Sequence, residues 1–349
     1  MAERMKKKKW SRSWTIFGLL LIILIVNQIP LPYYYSQPGE ANALEDIIMV
    51  EGGEGEEGEF YITTILQRRA NIPLYVWAQI SPYREVTPTD SYLMDGETDD
   101  EYFHRQEMMM TSSQEASKLV AYREAGLEPD IEYEGIRVTE VIDGMDAADH
   151  LQEGDLITSV NGTDVNTLEE LNAELENVEI GTEVTVDLTR EEEAETASVA
   201  IDMFPEEMDS EGRGGLGLLF PYTERSIEFD PEVDIEAGSI GGPSAGLMFA
   251  LEIYNQLTPD DLTKGLKVAG TGTIDDEGNI GRIGGIEQKV VAAEESEVDI
   301  FFAPEDDLDS PSNYELAIDT AADINAEMEV VGVRTFDEAA AYLEDYTPS

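Results

Sequence analysis

The chain has no cysteine and two histidines in 349 residues. Disulfides, thiolate metal sites and thiol catalysis are therefore excluded. His104 and His150 lie far upstream of the one serine that stands in a catalytic-looking loop, so that serine needs another base. His104 has no metal-ligand spacing around it, and no metal or other cofactor is expected. The phosphate-cradling pattern Gly-x-x-x-x-Gly-Lys-Ser/Thr is absent, which speaks against ATP as a partner. Basic residues are scarce: 21 Lys and Arg face 76 Asp and Glu, a net charge of −55. Nucleic acid is disfavoured as a partner, because phosphate repels such a surface. The acids are spread along patterned segments, not gathered in a tail. The balance reads as adaptation to high salt, where self-repulsion is screened. The length suggests two or three domains, and 42% hydrophobic residues suffice to bury real cores.

What is present centres on 238–289. Gly238-Ser239-Ile240-Gly241-Gly242-Pro243-Ser244-Ala245-Gly246 is a small-residue loop, and Leu247, Ala250, Leu251 and Tyr254 continue it at helical spacing. Ser244 thus stands where a helix starts, among unpaired N–H groups and partial positive charge. Those suit a developing oxyanion, and the amides of Ser244 and Ala245 are the expected donors. Glycines such as Gly242 let a substrate backbone come close. Serine needs a base, and a lysine serves if burial brings its pKa from about 10.4 towards 7 or 8. Lys289, in Ile286-Glu287-Gln288-Lys289-Val290-Val291 behind Gly284-Gly285, has apolar neighbours that could do this. Alone, Gly-Pro-Ser-Ala-Gly could equally be an ordinary helix cap. Lys264 and Lys267 read as solvated charges, and Arg282 as a surface or substrate-side charge.

Gly-Pro-Ser-Ala-Gly followed by Gly-Gly-x-x-x-Lys resembles the proteolytic domain of Lon-type serine peptidases over roughly 212–346. The resemblance implies a Ser-Lys dyad, with Ser244 as nucleophile and Lys289 as general base, and places Thr271 on the threonine that hydrogen-bonds the lysine. Family members often carry an acidic residue three positions before the serine; here that position is Gly241.

At the N-terminus, Arg4, Lys6, Lys7, Lys8, Lys9 and Arg12 face only Glu3. The uncharged run Thr15–Val26 follows, between Trp10 and Trp14 on one side and Tyr33, Tyr34 and Tyr35 on the other. This reads as a single-pass membrane helix with aromatic belts and a cytoplasmic basic end. Ala41-Asn42-Ala43 offers the alternative of a cleaved leader. The aromatics and prolines before it favour a retained anchor, and either way the bulk of the chain is exported.

Phe60–Ile65 reads as a strand, 72–78 as a second element, 81–100 as irregular, and Ser112–Ala125 as a helix preceded by Met108-Met109-Met110. Asp275–Asn279 reads as a solvated hairpin tip and not a calcium loop. Leu151–Gly162 carries Leu-x-x-Gly-Asp-x-Ile-x-x-x-Asn-Gly, which resembles a bacterial PDZ domain. That resemblance implies strand-addition binding of extended peptides, with the carboxylate-binding loop expected at Glu132–Gly135, where the common Gly-Leu-Gly-Phe form is missing.

The expected organisation is α+β: a basic cytoplasmic tail (1–14), a transmembrane anchor (15–35), an N-terminal α+β region (36–125), a PDZ domain (126–204), a linker (205–217) and a Lon-type proteolytic domain (218–349). The layout resembles membrane-anchored PDZ-plus-Lon-like peptidases of Gram-positive bacteria. It implies an ATP-independent, extracytoplasmic endopeptidase acting on peptides or proteins. A homo-oligomer is compatible with it. The rival reading is a surface-anchored peptide-binding adaptor whose peptidase domain is idle or cuts only itself.

Overall fold

The computed structural model describes residues 12–53, 57–94, 97–205, 212–238, 240–308 and 310–347. Residues 1–11, Ser239 and residues 206–211 of the expected linker lie outside the described residues. The chain divides into two compact units: 1–128 with 230–349, and 129–229.

The larger unit is built on a six-stranded sheet. Its order is Glu329–Val333, Ile300–Pro304, Lys267–Gly270, Glu59–Asn71, Pro30–Ala43, Glu85–Pro88. The first four strands run parallel, and the two remaining ladders are antiparallel. Ile300–Pro304 is buried along its whole length, as a strand covered on both faces must be.

Eight helices are described, α1 (Arg12–Asn27), α2 (Ile72–Ala78), α3 (Asp99–Glu124), α4 (Leu168–Leu175), α5 (Gly246–Leu257), α6 (Ile286–Glu295), α7 (Asn313–Ile324) and α8 (Phe336–Asp345). Ile286, Val290 and Ala293 of α6 and Ala317 of α7 pack on Ala269, Phe301 and Ala303 of the sheet. Leu247 to Ile253 of α5 are all buried, Glu252 included.

The region 36–125 is therefore not a separate body. Three strands lying wholly or mostly within it, Pro30–Ala43, Glu59–Asn71 and Glu85–Pro88, belong to the sheet that also holds 267–270, and α3 packs on α5. The expected tyrosine belt is corrected as well. Tyr34 and Tyr35 are 0% and 2% exposed and lie in the Pro30–Ala43 strand, and the Tyr34 ring packs beside Tyr92, Tyr102 and Phe103. The helix before them has 16 residues, about 24 Å at 1.5 Å per residue. Among the described residues no helix is long and apolar enough to cross a membrane. Ala41-Asn42-Ala43 pairs with Tyr61–Thr63 inside the sheet. A cut there would remove a central strand.

The 129–229 unit is a five-strand ladder in the order Glu193–Ala200, Glu183–Arg190, Leu156–Val160, Asp130–Arg137, Tyr222–Glu228, with Thr163–Asp164 paired beside Leu156–Val160. Ile136, Ile157, Val160, Leu171, Val186 and Leu188 form its core. Asn161 and Gly162 both take positive φ, 52° and 78°, as a two-residue type I′ hairpin turn demands. The buried Asp155 carboxylate accepts two bonds from the Arg190 guanidinium, at 2.8 and 2.7 Å.

This unit takes in residues expected elsewhere. Tyr222–Glu228, which the expected boundaries place in the proteolytic domain (218–349), pairs with Asp130–Arg137 and forms one edge of the ladder. Glu132–Gly135 is strand and not a loop, held by that pairing.

Candidate active site

Three elements of the larger unit converge. The Lys267–Gly270 strand ends at Gly270, and its chain turns through Thr271 and Gly272. A single 3₁₀ turn, Pro243–Ala245, carries Ser244 directly into α5. Lys289 projects from the first turn of α6, which starts after a left-handed Gly285 (φ 71°).

The loop before Ser244 is fixed by glycine geometry and by α3. Gly242 has φ 85°, where an L side chain is strained, and its N–H donates to the Gln106 carbonyl at 2.9 Å. A Cβ on Gly246 would stand 2.7 Å from both Ile274 Cγ2 and Ser113 Oγ, so the helix start needs glycine there. Ser113 Oγ donates to the Pro243 carbonyl at 3.0 Å, and Ser117 Oγ shares its proton between the Ser113 carbonyl at 2.6 Å and the Gly246 carbonyl at 2.9 Å. Neither serine is visible as functional in the sequence, where both look like ordinary small residues on a helix.

Lys289 Nζ lies 2.7 Å from Ser244 Oγ and 2.9 Å from Thr271 Oγ1. Thr271 Oγ1 donates to the Ser244 carbonyl at 2.9 Å, so it can only accept from the lysine. The Gly272 N–H donates to that same carbonyl at 2.9 Å. Thr271 is fully buried and Lys289 is 4% exposed. Burial pushes the Lys289 amine down from its usual value to about 7. Desolvation penalises the ammonium, and no other cause contributes. The local apolar wall thus outweighs the field of a chain carrying −55. At neutral pH a large share of Lys289 is a free amine, and the Ser244 hydroxyl can donate to its lone pair.

Ser244, Ala245, Gly242 and Lys289 line one cleft of about 920 Å³, with Thr273, Arg282, Tyr102 and Met110 also on its walls. Arg282 grips Asp306 through two bonds, at 2.5 and 2.7 Å, so its charge is already matched. His104 pairs loosely with Glu107, and His150 lies in the other unit beside Asp146.

The floor of the cleft includes 63–67 of the Glu59–Asn71 strand. That strand pairs with Lys267–Gly270 only through Ile62. The Phe60 carbonyl accepts from Leu44 N–H on the opposite side. By strand alternation, the Thr63 carbonyl and the backbone groups of Ile65 lie on the side of the vacated edge, beyond the last pairing with Gly270.

In the 129–229 unit, the edge strand Tyr222–Glu228 sits against α4, whose Leu168 N–H donates to Thr223 Oγ1 at 3.0 Å. It is preceded by Gly215-Leu216-Gly217-Leu218, with Gly217 at φ 76° packed against Met145. This is the Gly-Leu-Gly-hydrophobic run sought at Glu132–Gly135. It was legible in the residues but stood in a segment read as linker.

Two family models match the chain. Residues 111–201 match the PDZ domain, and residues 227–343 match the Lon protease (S16) C-terminal proteolytic domain. The chain carries both domains. A Lon protease of the Aster yellows witches'-broom phytoplasma is 40% identical over 67 residues, 19% of this chain. The match spans 8% of that protein's length. Among solved structures, the PDZ domain of an SdrC-like protein from Listeria monocytogenes is 27% identical, with a TM-score of 0.24 over 26% of this chain and 90% of that one. Its counterpart from Listeria innocua is also 27% identical, with a TM-score of 0.23 over 24% and 91%.

Proposed function

We propose that the chain is a serine endopeptidase using Ser244 as nucleophile and Lys289 as general base, working without ATP, and held by its N-terminal helix on the outer side of a cell membrane. The observation that carries the reading is a buried amine, with its pKa near 7, at 2.7 Å from a hydroxyl at the start of a helix.

Lys289 accepts the Ser244 proton as Oγ attacks the scissile carbonyl. The tetrahedral oxyanion is received by amides of the turn at Ser244 and Ala245. The lysine then protonates the leaving amine, and the acyl-enzyme forms. Water, deprotonated by the same lysine, attacks the ester and frees Ser244. Thr271 holds Nζ so that its lone pair points at Oγ.

The open backbone edge at Thr63 and Ile65 supports an extended substrate, laid as an added strand where Lys267–Gly270 stops. Such a substrate must arrive unfolded, which fits a chain that carries no nucleotide-binding loop. The ladder's edge strand, Tyr222–Glu228, would hold a second extended segment. That edge also supports the rival reading of a peptide-binding adaptor.

An unstructured fluorogenic peptide library, supplied without nucleotide, separates the two. The reading expects cleavage by the wild type and none by Ser244→Ala or by Lys289→Arg, because arginine cannot act as a base. Peptide binding without cleavage by the wild type would leave the adaptor.

A further inference from the structure

Acidic residues number 76, yet the two longest stretches without one are 4–39 and 60–84. The fold brings their described parts together at one end of the larger unit. Pro30 pairs with Asn71, Tyr34 with Arg69 and Tyr35 with Arg68. Asn71 caps α2 through the Leu74 N–H and also donates to the Asn27 carbonyl at the end of α1.

Residues of α2 bury none of their side chains. Ile72, Val76 and Ile80 follow one another at i, i+4 and i+8, and are 39, 54 and 80% exposed. Trp77 beside them is 54% exposed, with the Arg84 guanidinium 5.7 Å from its ring. Tyr33 and Tyr75 meet edge to face at 5.2 Å under the same corner. Arg68 lies one strand position before Arg69, which pairs with Asp99. Next to this corner, Ile16, Phe17, Leu20, Leu21 and Leu24 of α1 are about half exposed or more.

We infer that this corner is a membrane-seating surface: α2 lies in the interface of an anionic lipid leaflet, with Trp77, Val76 and Ile80 among the headgroups and Arg68 and Arg84 reaching lipid phosphates. The inference rests on the reading that α1 enters the bilayer. An apolar face carrying Trp and flanked by Arg is the composition of an interfacial helix. The electrostatics select the orientation. An anionic leaflet repels a chain at −55, so this acid-poor corner, where Asp99 is matched by Arg69 and Asp323 accepts from the Tyr83 hydroxyl, is the one that can approach. A second copy seated there would instead bring two strongly negative bodies together.

The full chain with Trp10→Phe and Trp14→Phe leaves Trp77 as sole tryptophan. It is reconstituted at matched ionic strength into phosphatidylglycerol or phosphatidylcholine vesicles, with and without acyl chains brominated near the headgroup. Sedimentation with vesicles reports α1, and Trp77 emission reports α2. The inference expects co-sedimentation, a blue shift and at least twofold quenching by brominated phosphatidylglycerol. It also expects weaker quenching in phosphatidylcholine and its loss in a Val76→Asp/Ile80→Asp variant that still sediments.

Co-sedimentation with Trp77 unquenched and open to iodide would overturn the seating surface while leaving the anchor standing. Iodide protection without bromine quenching would mean a second copy covers the patch, and also overturns it. Equal quenching in both lipids would overturn the anionic assignment. Failure to sediment would remove the anchor and the seating together.

Discussion

In the proposed reading Lys289 is the general base, and its burial has two measurable consequences. Its folded pKa is near 7 against about 10.4 when unfolded. Activity should therefore rise with pH through about 7 and level off above it, as the free amine becomes the main form. The pH profile of kcat/KM on a peptide substrate tests this. Stability carries the same sign. Between about 7 and 10.4 the unfolded chain holds a proton that the folded one does not, so stability increases with pH across that window. Replacing the lysine by Met removes this penalty. Lys289→Met should be inactive yet more stable than wild type at pH 7, by about 2–4 kcal/mol at roughly 1.4 kcal/mol per unit, with the gain fading towards pH 10. Urea melts at the two pH values report it. Thr271→Val removes the one described acceptor for the lysine's second N–H in a fully buried place. A cost of about 1–3 kcal/mol is expected, together with a fall in kcat larger than any change in KM.

Among the elements, α3 is the one that fixes the turn carrying Ser244, the proposed nucleophile. Ser113 and Ser117, one turn apart, hold the carbonyls of Pro243 and Gly246. Ser117→Ala should cost about 1 kcal/mol in a thermal melt and lower kcat severalfold, with the midpoint of the pH profile left near 7. The helix was half legible. Ser112–Ala125 carries a readable pattern, but its first three turns do not, since Met and polar residues alternate there without a stripe. Thr98 and Glu101 form a capping box that marks the true start, overlooked in a stretch that reads as irregular. The peptidase strands and α6 to α8 were legible because buried parallel strands are short apolar runs between helical patterns. The Pro30–Ala43 strand was not. Its tyrosines and prolines match an aromatic belt equally well, and only the long-range pairing with Glu59–Asn71 decides for the sheet. The edge strand of the 129–229 unit was hidden by connectivity: Tyr222–Glu228 follows in sequence the strand Glu193–Ala200 at the far side of the ladder, yet pairs with Asp130–Arg137.

At the scale of the molecule, charge dominates. At −55 the chain repels itself unless salt screens it within a few ångströms, about 3 Å at 1 M against about 30 Å at 0.01 M. The melting temperature should fall steeply from molar to millimolar salt, and a flat dependence in a salt-series melt would count against the high-salt reading. Desolvation, and no neighbouring charge, lowers the Lys289 pKa, so in the proposed reading the pH midpoint of activity should move little over the range of salt in which the fold persists. The measurement that bears most directly on the whole account is acylation of Ser244 by a β-lactone inhibitor, followed by mass spectrometry against pH. The account predicts a single adduct on Ser244, forming faster as pH rises through about 7, and none in Lys289→Arg. An adduct absent from Ser244, or one forming equally fast with arginine at 289, would contradict it.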